Sequence, residues 1–135
     1  MKTCAGSLLL ILLVPVLLAS CAPQRMYYWG DYSTTLYHSR KVPGEESLLK
    51  HKQALENIIQ QSEEQKLRVP PGIYAELGYI YFRQNATDTA VKYFLLEKQT
   101  YPESRIFMER LVQAARARAA STEGEEKTPE DSAKE

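Results

Sequence analysis

The chain opens with an apolar run and then changes period. Leu8 to Leu18 is a stretch of eleven non-polar residues including Pro15, and Lys2 is the only charge ahead of Arg25. Eleven residues fall short of the roughly 20 that span a hydrocarbon core, and they match the apolar region of a secretory signal over residues 1–20. Helical spacing begins after Pro43-Gly44. Glu45 and Glu46 suit a helix N-terminus, and Leu48, Leu55, Ile58 and Ile59 predict a first helix to about Gln65. Val69-Pro70-Pro71-Gly72 stops it and starts a second, because Pro fits a first helical turn; that helix should run to about Gln84. Asn85 to Asp88 read as a turn with capping residues, followed by a third helix over Thr87 to Thr100. Tyr101-Pro102 breaks the chain again. A fourth helix is predicted from Glu103 to about Ala119, with Phe107, Leu111 and Ala115 on one face. Residues 22–43 have no clear period and read as a tether plus an aromatic extended segment.

The second and third helices carry a repeat pattern. Tyr74-x2-Leu77-Gly78-x2-Tyr81, then Ala90-x3-Phe94, then Pro102, resembles the tetratricopeptide spacing with Tyr74 in place of Trp. Gly78 and Ala90 are small where two helices cross closely, and Tyr74, Leu77, Tyr81 and Phe94 fill the space around that crossing. A shift of 34 residues places Met108, Leu111, Val112 and Ala115 at the corresponding downstream positions, and Ala54-x3-Ile58 repeats the pattern upstream. The expected fold is all-α: a tetratricopeptide-like helical hairpin array over residues 44–120, of about four helices, with one full repeat and a half-repeat on either side.

Such pairs do not bury their faces alone, and about three repeats are usually needed. Something else should cover the exposed edge. Tyr27-Tyr28-Trp29-Gly30-Asp31-Tyr32 and Leu36-Tyr37 supply aromatic surface, and Tyr79, Phe82 and Arg83 lie away from the interhelical positions. The expectation is that residues 27–37 fold across the groove onto these side chains. The alternatives are that the aromatics lie at a membrane interface or dock another protein.

Leu18-Ala19-Ser20-Cys21 resembles the lipobox of bacterial lipoproteins, in which the Cys thiol takes a diacylglycerol. An ordinary signal peptide with a chance cysteine is the alternative. On the lipobox reading Cys4 leaves with the signal and Cys21 becomes a thioether. Membrane attachment then runs through N-terminal acyl chains, each buried methylene contributing roughly 0.8 kcal/mol. Residue 22 is Ala rather than the Asp that commonly retains lipoproteins in the inner membrane, so the expected location is the periplasmic face of an outer membrane.

Composition narrows the chemistry. The 135 residues allow one small domain, and 17 basic against 17 acidic side chains argue against a nucleic-acid surface. Residues 121–135 hold six acids, two lysines and no large apolar side chain, which reads as a disordered, solvated tail. Two His and two Cys leave little for metal or enzyme chemistry. There is no Gly-rich phosphate loop, zinc spacing or nucleophile elbow. Glu97 is expected to pair with Arg105 or Arg110 on the following helix. His38 and His51 are expected in a loop and on an exposed helix face, and Asn85-Ala86-Thr87 is expected to serve as a cap. No catalytic residue, cofactor, metal or small-molecule substrate is expected.

With these residues in view, the chain resembles a family of small bacterial lipoproteins catalogued as domain of unknown function 4810. The resemblance rests on the lipobox, Tyr28-Trp29-Gly30-Asp31-Tyr32, Leu36-Tyr37, Val69-Pro70-Pro71-Gly72, Ala75-Glu76-Leu77-Gly78-Tyr79 and Glu97-Lys98-x-x-Tyr101-Pro102-Glu103-Ser104. It implies a tetratricopeptide-like fold and an outer-membrane lipoprotein that tends to be encoded beside other small lipoproteins, one of them resembling the curli secretion channel. It implies no activity. The function expected is a lipid-anchored periplasmic adaptor that binds a protein partner, another envelope lipoprotein, through Glu76, Tyr79, Phe82 and Arg83. The alternative is an accessory subunit or activator of an envelope-biogenesis machine, either a secretion pore or a peptidoglycan synthase.

Overall fold

A computed structural model describes residues 25–126, with side chains through Ser121; the signal, Cys21 and residues 127–135 lie outside them. The described residues contain five α-helices and no strand: α1 (Tyr32–Lys41), α2 (Glu45–Glu64), α3 (Ile73–Arg83), α4 (Thr87–Thr100) and α5 (Arg105–Glu126), with a short 3-10 turn, Pro102–Ser104, ahead of α5. Each helix packs on the next, most extensively α3 on α4 and α4 on α5.

The extended segment is corrected first, because α1 is helical. The Tyr32 amide donates to Trp29 O and the Thr35 amide to Asp31 O, starting the helix. His38, Arg40 and Lys41 occupy its last turn, and cations there suit the negative end of the helix dipole. Its inward stripe is Tyr32, Thr35, Leu36 and Ser39, all half-buried. That stripe has helical spacing, but Thr35 and Ser39 are small and polar and hide the period. His38 therefore lies on a helix and not in a loop.

In α2 the buried stripe is His51, Leu55, Ile58 and Ser62. His51, expected on an exposed face, is only 2% exposed. It stands one turn before Leu55 on the same side of the helix. Leu48 and Ile59 flank the stripe and pack on the first core cluster, which consists of Leu55, Ile58, Val69, Ile73, Tyr74, Leu77 and Ile80, with Tyr28 and Tyr32 laid against it.

Pro71 does not begin α3 as expected. Ile73 N donates to Pro70 O at 3.4 Å, and Gly72 has φ 88°, ψ −16°. This is a type II turn with Pro at its second position and Gly at its third. The helix starts at Ile73, two residues after Pro71. The α3–α4 crossing is tight at Gly78, Ala90 and Phe94, and Phe94 joins Ala90, Met108 and Val112 in a second cluster reaching α5.

Two expectations for α5 are also corrected. Its buried positions are Met108, Val112 and Ala115, while Phe107 is 61% exposed. Ala115 is buried as expected, and Met108 and Val112 fall where the 34-residue shift put them, but Phe107 does not face the core. The helix also continues to Glu126 instead of ending near Ala119, so the first residues assigned to the tail are helical.

Candidate functional site

Three helices meet at one polar joint. Glu76 rises from the first turn of α3, and its Oε2 accepts a hydrogen bond from Tyr32 OH of α1 at 2.9 Å. Its Oε1 lies 3.1 Å from His51 Nε2 of α2, and His51 Nδ1 lies 2.9 Å from Thr35 Oγ1 of α1. An ionised carboxylate only accepts, so His51 Nε2–H is the donor to Glu76. With a neutral ring, Thr35 gives its one proton to Nδ1. With a protonated ring, Nδ1–H donates to Thr35, whose proton turns to Asp31 O or Tyr32 O, each 3.1 Å away. Both states satisfy every polar atom of the joint, as burial demands. Burial pushes the Tyr32 hydroxyl up to about 12; the hydrogen bond to Glu76 and the charge of that carboxylate add to the effect, and Arg40 opposes it.

Beside the joint lies a cleft of about 380 Å³ between the end of α1, the start of α2 and α3. Leu36, Leu48 and Ile80 give it apolar walls, Glu76 and His51 a polar end, and Arg40, Tyr79 and Arg83 an exposed mouth. Three of the four expected partner-binding residues, Glu76, Tyr79 and Arg83, are thus brought together. Phe82 does not line the cleft. Its ring lies beside that of Tyr79, centroids 6.2 Å apart, and packs against the second cluster, with the Arg118 guanidinium 5.3 Å from its centroid. Residues 27–37 do lie across α2 and α3, through Tyr28, Tyr32 and Leu36. Tyr28 and Tyr32 pack on the first cluster, while Tyr37 is exposed under Lys41.

Glu97 has a different neighbour from the one expected. It is 3% exposed and points at the start of α3, where Gly72 N donates to its Oε1 at 2.8 Å. Its Oε2 accepts no hydrogen bond of good geometry among the described residues. Neither Arg105 nor Arg110 pairs with it among the described residues; the cross-helix ion pair is Lys98 with Glu109, at 2.8 Å. First-turn amides lack helical partners and carry the positive end of the dipole, so backbone supplies the compensation that a cation was expected to give. Burial raises the Glu97 carboxyl above its ordinary range. The Gly72 and Ala75 amides oppose that, the charge of Glu103 adds to it, and the Tyr74 amide again opposes it. No group of three or more His, Cys, Asp or Glu side chains converges to hold a metal among the described residues.

The family model described as domain of unknown function (DUF4810) matches residues 26–111, more than half of the chain. The chain belongs to this family. The DUF4810 segment takes in α1 to α4 and the first turns of α5, so the joint, the cleft and Glu97 all lie inside it, whereas Cys21 and Arg118 lie outside. No curated protein and no solved structure matches the chain.

Proposed function

We propose that this DUF4810 protein is a lipid-anchored, periplasmic interaction module at the outer membrane, with a tetratricopeptide-like core whose α1–α2–α3 cleft receives a segment of another envelope lipoprotein. The observation that carries the reading is the build of the cleft: Leu36, Leu48 and Ile80 inside, with Tyr79, Arg40 and Arg83 exposed around them. An apolar interior with aromatic and Arg side chains at its rim is the composition that protein interfaces favour. Both nitrogens of His51 and both oxygens of Glu76 are occupied within the joint, which favours binding over catalysis. Support for the repeat comes from Gly78, Ala90 and Phe94, which meet as that pattern requires. Support for the anchor comes from Leu18-Ala19-Ser20-Cys21.

Photocrosslinking in intact cells tests the cleft. A photoreactive residue replacing Tyr79 is expected to capture one envelope lipoprotein, and the same residue at exposed Gln60 of α2 is not. Arg83→Glu should abolish the adduct. Equal capture at both positions, or none at Tyr79, would count against the cleft as the partner site.

A further inference from the structure

We infer that the edge formed by Met26 and Trp29 rests in the headgroup region of the bilayer, so that the domain is held against the membrane by a protein contact as well as by its acyl chains. This rests on the anchor reading of Cys21. Met26 is 70% and Trp29 41% exposed, at the very start of the described chain. Trp29 is fixed in place: its ring meets Tyr27 edge-on at 6.4 Å and tilts on Tyr32 at 5.4 Å. Its exposure is therefore a property of the folded edge.

Tether length decides what that edge meets. Four residues separate Cys21 from Met26, five residue steps that reach at most about 18 Å when fully extended. Each headgroup layer is roughly 5–8 Å thick. Even a straight tether holds Met26 within about 10–13 Å of the headgroup surface, and any slack brings it closer. Trp and Tyr are the residues that favour this zone, apolar at one end and wet at the other. Arg25 adds a cation between anchor and edge. Tyr27 lies near enough to Tyr101 to influence its hydroxyl, and the Arg68 guanidinium lies 4.3 Å from the Tyr101 ring centroid, which places a second cation toward the same end. Cations there suit anionic headgroups. The cleft is lined by Leu36, Leu48, Tyr79 and Arg83 among others and shares no residue with the Met26–Trp29 edge.

Trp29 is the single tryptophan of the chain, so its emission reports on this edge alone. The experiment uses the full chain processed in cells, weighed intact, and reconstituted into phosphatidylethanolamine–phosphatidylglycerol vesicles with plain or brominated acyl chains. Acylated protein should show Trp29 emission quenched by the brominated chains. Met26→Glu, at a position the core does not use, should lose most of that quenching while still sedimenting with the vesicles. Acylated protein that sediments with unquenched Trp29 overturns the seating and leaves the anchor standing. Shielding of Trp29 from aqueous acrylamide without bromine quenching also overturns it, and assigns the edge to a protein cover. Undiminished quenching in Met26→Glu removes Met26 from the contact and overturns the edge as drawn. A mass without acyl chains sinks the anchor, and the seating with it.

Discussion

Phe94 closes on Gly78 so tightly that no β-carbon fits between them: a methyl carbon on Gly78 would lie 2.8 Å from Phe94 Cε1 and 3.2 Å from the Ala90 carbonyl oxygen. Two effects compete in Gly78→Ala. Helix propensity favours Ala by about 0.8–1 kcal/mol, and overpacking a close-fitted site costs about 1–3 kcal/mol. Phe94 is fully buried between α3 and α5 and has no open side to move into, so overpacking wins. A net loss on the order of 1 kcal/mol is expected, read as a lower urea midpoint with an unchanged slope. Adding Phe94→Leu should give back part of that loss, a coupling that independent sites do not show.

Glu97 gives stability a dependence on pH whose sign follows from its surroundings. Burial dominates, so the folded-state carboxyl titrates above the ordinary 4.5. A raised pKa means that the stability contributed by the protonated group is complete below the unfolded value and is lost as pH rises through the folded one. Glu97→Gln cannot ionise, and its amide oxygen still accepts from Gly72. Unfolding at about pH 4 and about pH 7 should therefore show the variant gaining on the parent as pH rises. A difference that is flat with pH, or that runs the other way, would show that the α3 amides outweigh burial.

The part of this fold written plainly in the sequence is the part governed by residue size. Gly78, Ala90 and Phe94 must be small, small and large for α3 and α4 to cross, and their spacing marks that hairpin. Pattern reading failed where packing is polar. The inward stripe of α1 alternates Tyr32 and Leu36 with Thr35 and Ser39, so it looked like a loop. His51 reads as exposed in the sequence because a lone imidazole on an apolar stripe carries no sign of the Thr35 and Glu76 partners that allow its burial. The signal that would have found it is positional: His51 stands at i−4 from Leu55. Phe107 misled in the other direction, since an exposed aromatic beside buried Met108 mimics a core face. For Glu97 the need for compensation was legible and its source was not, because a backbone amide belongs to no residue type. Phe82 shares α3 with Tyr79 and Arg83, yet sequence gave no means of knowing that α5 would claim its ring.

Docking of α1 depends on the Tyr32 hydroxyl remaining protonated. It is pushed from 10.0 up to about 12 by burial and by Glu76. The stabilising contact is complete below the unfolded value and fades as pH climbs from about 10 to about 12. Amide exchange across α1 should accelerate in that interval more steeply in the parent than in Tyr32→Phe, which has no phenol to lose. Near neutral pH, Tyr32→Phe should cost about 0.5–1.5 kcal/mol, the usual net worth of one hydrogen bond. Combined with Glu76→Gln, the two losses should add to less than their sum. Full additivity would mean that the 2.9 Å contact between them carries no energy.

Two glycines at helix starts should respond to substitution with opposite signs. Gly72 sits at φ 88° with no atom within 4 Å of an added β-carbon, so the cost of Gly72→Ala is purely conformational. An L-residue in the left-handed region costs about 1–2 kcal/mol, and the type II turn into α3 offers no other geometry. Gly44 begins α2 at φ 178°, ψ 167°, with no side-chain cap and equally open space. That extended backbone suits any residue, and a serine there offers its hydroxyl to an unpaired first-turn amide. Gly44→Ser should stabilise by a few tenths up to about 1 kcal/mol, from the cap and from reduced freedom of the unfolded chain. Thermal unfolding of the two variants beside the parent separates the cases. Were both to lose stability alike, the loss would lie in chain contacts at these turns and not in the handedness of the Gly72 backbone.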